Sequence, residues 1–210
     1  MLNRSYKQWH KPNKSGTKSE GGTSLTHQGY MKNLKNPDKY VGDLQDIIYR
    51  SGWELAFAKW CDASKSVLKW SSEPTRIFYY NRIAKLDECK KLGLDPNNPK
   101  NWAVKNYHVD FWIQIKREDD IIEKWFIEIK PKDKLKKPIP PKPNSSLKEQ
   151  RRFNNLAKEY LINEAKFAAM NEFAKRNGAK FYIFHEDIMM KLGILGGRFD
   201  YDNEKNKYQK

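Results

Sequence analysis

Apolar and polar residues alternate most cleanly along two stretches, YHVDFWIQIK (107–116) and IIEKWFIEIK (121–130), separated by the charged turn REDD. A period of two predicts β-strands. In the first, Val109, Phe111, Ile113 and Ile115 share one face, and His108, Asp110, Trp112 and Gln114 share the other. In the second, Trp125, Ile127 and Ile129 lie opposite Phe126, Glu128 and Lys130. VLKW (67–70), TRIFYY (75–80) and KFYIFH (180–185) are β-like by composition. Helical spacing marks Ser51–Asp62, which opens on Ser-Gly-Trp-Glu in capping-box form. It recurs from Phe153 to Asn177, with Gly178 where a C-terminal cap belongs, and EDIMMKL (186–192) predicts a short helix. Residues 82–106 break the β pattern with a short polar helix (Ile83–Leu92), Gly93 and a DPNNP turn, and read as an insertion. The KPIPPKP run (137–143) fits neither helix nor central strand and predicts an extended surface loop. Helix, several strands, helix, strand is the order of an α/β domain with a mixed sheet.

A length of 210 residues suits one domain with tails, and 13% aromatic residues mark a chain that folds. No apolar run approaches the roughly 18–20 residues of a membrane helix, and the start, MLNRSYKQWHKPNKSG, lacks the apolar core of a secretory signal. Cys61 and Cys89 have no Cys/His partners at zinc spacing, so a reducing, intracellular compartment is expected. The formal charge of +15 and mean hydropathy of -0.95 point to a polyanion as partner. That charge is localised. Residues 1–40 carry a net +6, and residues 130–152 a net +7. The first stretch lacks apolar periodicity, and residues 1–35 are expected to form a flexible basic arm. The plainer reading of both stretches is solubility.

If the hairpin turns about Asp119, Asp110 lies directly opposite Glu128. Opposed carboxylates repel, and a divalent cation is the obvious reason for a fold to keep them. Lys130 points the same way as Glu128 and reaches the same phosphate. Two acids and a lysine on one sheet face suit phosphodiester hydrolysis, the lysine positioning or deprotonating water or offsetting developing charge. The pattern acid-x-Lys is weak alone, since it occurs at Glu88-Cys-Lys90, Glu128-Ile-Lys130 and Glu164-Ala-Lys166. Only the middle copy has a strand context and an acid-bearing hairpin partner. The competing reading is a solvated Glu–Lys pair. Glu54 likewise has two readings, as the helix cap or as a third carboxylate at the metal. The four histidines are scattered, and His108, which shares a face with Asp110, reads as a surface residue. The tryptophans sit mostly at core-patterned positions, Trp102 being the one weighed for base stacking. No glycine loop for cradling phosphate is present, because no strand leads into Gly193, Gly196 and Gly197.

Val109-Asp110-Phe111 followed by Glu128-Ile-Lys130 resembles the PD-(D/E)XK restriction-endonuclease-like superfamily, with Val109 in place of the usual Pro. NPDKYVGD (36–43), IIYRSGWE (47–54), VLKWSSE (67–73), VDF (109–111), EIKPK (128–132) and NEAKFAA (163–169) further resemble the head-completion nucleases of T-even-like tailed bacteriophages. The stretch 81–106 departs from that pattern. The resemblance implies a restriction-endonuclease-like core, a mixed β-sheet flanked by helices, over residues 36–195. It implies a Mg2+-dependent endodeoxyribonuclease (Mn2+ being the alternative ion) that acts in late head completion and DNA packaging with little sequence specificity. Asp110, Glu128 and the Ile129 carbonyl would hold metal, while Glu54 and Lys130 complete the catalytic set. Arg50 would contact phosphate, and Asn163 and Lys166 would support the site from the second core helix. The basic, Pro-rich loop 131–150 and its surroundings, with Lys132, Lys134, Lys136, Lys137, Arg151 and Arg152, is expected to bind double-stranded DNA. Portal or head–neck proteins are further candidate partners, with no membrane involved. The implied setting is the host cytoplasm during phage assembly, or the virion. Residues 196–210 read as a polar tail. Two alternatives remain: a non-catalytic structural virion protein that binds DNA, and a structure-specific nuclease of the transposon-end or junction type.

Overall fold

The computed structural model describes residues 28–196. Most of the expected arm (1–27) and nearly all of the expected tail (197–210) lie outside the described residues. The described residues begin with a two-stranded antiparallel ribbon, β1 (Gly29–Tyr30) against β2 (Ile48–Tyr49). The last residues of the expected arm therefore belong to the fold. Met31 is buried, and the buried Asp62 carboxylate accepts the N–H groups of Lys35 and Asn36 at 2.7 and 2.9 Å.

Helix α1 (Gly52–Ala63) starts at Ser51, whose Oγ accepts the Glu54 N–H. A four-stranded mixed sheet follows from β3 (Val67–Ser72), β6 (Phe111–Lys116), β7 (Ile122–Ile129) and β8 (Lys180–Phe184), in the order β3-β6-β7-β8. β3, β6 and β7 are antiparallel, and β8 joins β7 in parallel. β4 (Arg76–Asn81) and β5 (Ala103–His108) form a separate antiparallel ribbon. The short α2 (Leu86–Lys91) lies in the connection between them, so the expected insertion ends at β5, which supplies half of that ribbon.

Helix α3 (Leu147–Arg176) begins six residues before the apolar periodicity does. Ser146 and Glu149 form a reciprocal capping box, which fixes the start there. The expected basic loop accordingly ends at Ser146, and Arg151 and Arg152 are helical. At the other end Gly178, at φ +62°, turns the chain, and the Ala179 N–H returns to the Ala174 carbonyl at 2.9 Å. The expected helix at 186–192 is α4 (Glu186–Lys191).

The two faces of the sheet are covered by different helices. Phe57, Ala58 and Cys61 of α1 pack with Trp70, Phe111, Ile113 and Ile127. Met170 and Ala174 of α3 pack with Ile77, Tyr79, Tyr107, Val109 and Phe126. Val109 and Phe111 are thus on opposite sides, although simple alternation puts them together. The strand expected at 107–116 is broken at Val109–Asp110, where the Asp110 carbonyl accepts the Glu73 N–H at 2.7 Å. The break turns Tyr107 and Val109 toward α3.

Candidate active site

The β6–β7 register pairs Phe111 with Ile127 and Trp112 with Phe126, so the hairpin is centred on Asp119. Extended by one residue, it brings Asp110 across from Glu128. Asp110 Oδ2 accepts the Ile129 N–H at 2.7 Å. Glu128, only 4% exposed, accepts the Tyr107 hydroxyl at 2.6 Å on Oε2 and Lys130 Nζ at 3.3 Å on Oε1. Both carboxylates are therefore held by donors rather than left as bare repelling charges, as buried charge requires.

Of the two roles weighed for Glu54, the helix cap is visible in its contacts. Its Oε2 accepts the Arg50 N–H at 2.6 Å and its Oε1 accepts the Ser51 hydroxyl at 2.9 Å, so it closes the helix start. It also lies within the field of the acidic pair. Burial first, then the charges of Glu128 and Glu54, push the Asp110 carboxyl well above its ordinary range. Burial likewise raises Glu54, with Glu73 and Glu128 adding to the shift. The charge of each of these carboxylates is thus felt by its neighbours, and a cation would relieve that repulsion.

Lys166 approaches from α3, its ammonium 5.4 Å from the Tyr107 ring centroid and 5.9 Å from that of Tyr79. Burial and then Lys130 lower its pKa, against the opposing pull of Glu128 and Asp110. His108 is lowered to about 4 by burial and by Lys166, so it is neutral at physiological pH. Asn163, one turn before Lys166, is buried, with an Nδ2 that lacks a hydrogen-bond partner. It lines a pocket of about 160 Å³ between α3 and β8, with Lys134, Tyr160, Phe167 and Ile183.

The other expected residues divide by what engages them. Arg50 pairs with Glu73 through its guanidinium, and Lys132 pairs with Asp187. Lys134 Nζ meets Glu159 Oε2 at 3.1 Å. Lys136, Lys137, Arg151 and Arg152 are exposed along the loop and the first turns of α3. Trp102 is held inside the connection, its indole N–H donating to the Pro96 carbonyl at 3.0 Å.

Two residues near the site had no sequence expectation. Tyr107 reaches Glu128 because the strand break turns it to the α3 side. Glu73 lies at the end of β3 at φ +42°, with its N–H on the Asp110 carbonyl and its carboxylate on Arg50. The only signal for it was an acid between a strand and Pro74.

The donor set at Asp110, Glu128 and Glu54 is all hard oxygen, which suits Mg2+ or Mn2+ rather than zinc. Among the described residues, no group of three or more His, Cys, Asp or Glu side chains is arranged to hold one ion. Mg2+ needs no such cage, because it takes one or two carboxylates and keeps several waters. The residues present fit that ion. Among the described residues, no helix is long and apolar enough to cross a membrane.

Residues 64–186 match the family described as TnsA-like endonuclease N terminal. That stretch contains Asp110, Glu128, Lys130 and Lys166 and leaves out Glu54. The head completion nuclease of Enterobacteria phage T4 is 32% identical over 162 residues, covering 77% of this chain and 93% of that protein. With a mixed sheet between helices, and with these matches, the chain belongs to the TnsA-like endonuclease family and has its restriction-endonuclease-like fold.

Proposed function

We propose that this protein is a divalent-metal-dependent DNA endonuclease that acts in phage head completion, in the host cytoplasm, with little sequence preference. The observation that carries the reading is the convergence of Asp110, Glu128 and Lys130 at the β6–β7 edge, each held by a hydrogen bond. A bound Mg2+ or Mn2+ would supply charge stabilisation at the phosphate and acidify water. Asp110 and Glu128 would hold it, with Glu54 and the Ile129 carbonyl as further oxygens.

The chain's own contribution is positional. Glu128 orients the Lys130 ammonium, which offsets charge at the reacting phosphate or steers the attacking water. Tyr107 fixes the Glu128 carboxylate from the opposite side. The exposed Lys136, Lys137, Arg151 and Arg152 track the DNA backbone, and phosphate contacts carry little sequence information. Portal or head–neck proteins are candidate partners.

The test is conversion of supercoiled plasmid by wild-type protein in Mg2+, in Mn2+ and in EDTA. Cutting in either metal that stops in EDTA supports the proposal. DNA binding without cutting in either metal favours a structural virion protein.

A further inference from the structure

Alternation along β4 sends Ile77 and Tyr79 inward to α3 and leaves Arg76, Phe78 and Tyr80 facing out. The register with β5 sets His108 beside Arg76, Asn106 beside Phe78 and Val104 beside Tyr80. Phe78 is 64% exposed, Tyr80 60% and Val104 57%. Scattered exposed apolar residues need no explanation, but a contiguous aromatic row on one ribbon marks a binding surface.

Three observations identify its occupant. First, the chemistry is that of base stacking. Two aromatic rings stand with the Arg76 guanidinium 5.8 Å from the Phe78 centroid, and neither strand carries an Asp or Glu. Second, the row ends at His108, two residues before Asp110 in the chain. Third, the chain carries +15, so a nucleic acid is attracted to it while a basic partner is repelled. Side chains two apart on a strand are separated by roughly 6.6–6.8 Å, about twice the 3.4 Å step of stacked bases. That interval suits bases that have left the duplex stack.

We propose that the outward face of the β4–β5 ribbon binds an unpaired DNA strand through Phe78 and Tyr80. Building on the nuclease reading, this makes the preferred substrate a duplex with an unpaired segment beside the scissile phosphate, such as a frayed end or a flap. The binding itself does not depend on catalysis.

The full-length chain is titrated in EDTA with fluorescently labelled single-stranded oligothymidine, blunt duplex and duplex with a single-stranded overhang. Phe78→Ala/Tyr80→Ala is expected to weaken single-strand and overhang binding about tenfold or more, with blunt-duplex affinity within about twofold. Phe78→Tyr/Tyr80→Phe, which keeps both rings, is expected to bind like wild type and controls for folding. Unchanged single-strand affinity in the alanine variant overturns the proposal. So does an altered oligomeric state with DNA binding intact, which would assign the ribbon to a second copy. Absence of cleavage with ring-dependent strand binding discards the nuclease reading alone.

Discussion

The hydroxyl of Tyr107 donates to Glu128 Oε2 at 2.6 Å, joining the end of strand β5 to the acidic centre of the main sheet. Both residues are buried, Tyr107 at 4% and Glu128 at 4% exposure. Tyr107→Phe is expected to cost about 1–3 kcal/mol of stability, because it leaves a buried carboxylate oxygen short of a donor. It is also expected to raise the Mg2+ concentration for half-maximal cleavage about 10–100-fold, as loss of a ligand's supporting hydrogen bond does. Cleavage rate against Mg2+ concentration, beside a denaturant titration, checks both.

Burial and neighbouring carboxylates raise the Asp110 and Glu54 pKa values, so in the metal-free protein their neutral forms are favoured by folding. A raised acid stabilises most below its ordinary range, near pH 4, and that stability is lost as pH rises through the folded value. Thermal unfolding in EDTA should therefore show wild type losing stability toward neutral pH. Asp110→Asn is expected to flatten that decline and to raise Tm at pH 7 by about 2–6 °C. Added Mg2+ should raise the wild-type Tm and leave that of Asp110→Asn nearly unchanged.

Glu73 combines a left-handed backbone with an ion pair, and substitutions separate the two. At φ +42° glycine is favoured over any residue with a Cβ, so Glu73→Gly should be about 1 kcal/mol more stable than Glu73→Ala. Both lose the Arg50 partner and are expected to cleave about tenfold more slowly, since Arg50 carries the N–H that holds Glu54. Denaturant midpoints and single-turnover rates on plasmid separate backbone from side chain.

The cations differ in what holds them. Lys136→Ala, Lys137→Ala, Arg151→Ala and Arg152→Ala should each weaken DNA binding and reduce the salt slope by about 1. Lys132→Ala and Lys134→Ala should do less, because Asp187 and Glu159 already compensate those charges. Deleting residues 1–27 is expected to lower the salt slope as well. Deletion through residue 35 should also destabilise the fold, since it removes Met31 from the core and the Lys35 N–H from Asp62. Affinity measured at several salt concentrations, with Tm for the deletions, tests these outcomes.

Much of the site is legible because a charged turn and strict alternation suggest a β6–β7 hairpin, and its centre at Asp119 is the one observed. Asp110 opposite Glu128 followed from that alone. Ser51 and Gly178 were readable for equally local reasons, one as a helix cap and one as a left-handed turn. Where the reading failed, regularity was broken by a tertiary bond. Alternation assumes an unbroken strand, but the chain breaks at Val109–Asp110, where the Glu73 N–H bonds the Asp110 carbonyl, so Val109 leaves the face of Phe111. The start of α3 was concealed because its first turns are solvated and carry no apolar rhythm. The Ser146–Glu149 capping box was the available signal. Glu73 could not be inferred, because its role depends on Arg50 and Asp110, distant in sequence.

Single-turnover plasmid cleavage in Mg2+ by wild type and Asp110→Asn decides whether Asp110 and its neighbours cut DNA. Both proteins must bind the plasmid equally. Wild type is expected to give nicked or linear product and Asp110→Asn to react about a hundred- to thousandfold more slowly, the loss expected when catalytic electrostatics are removed. Equal cleavage by the two proteins would contradict that expectation.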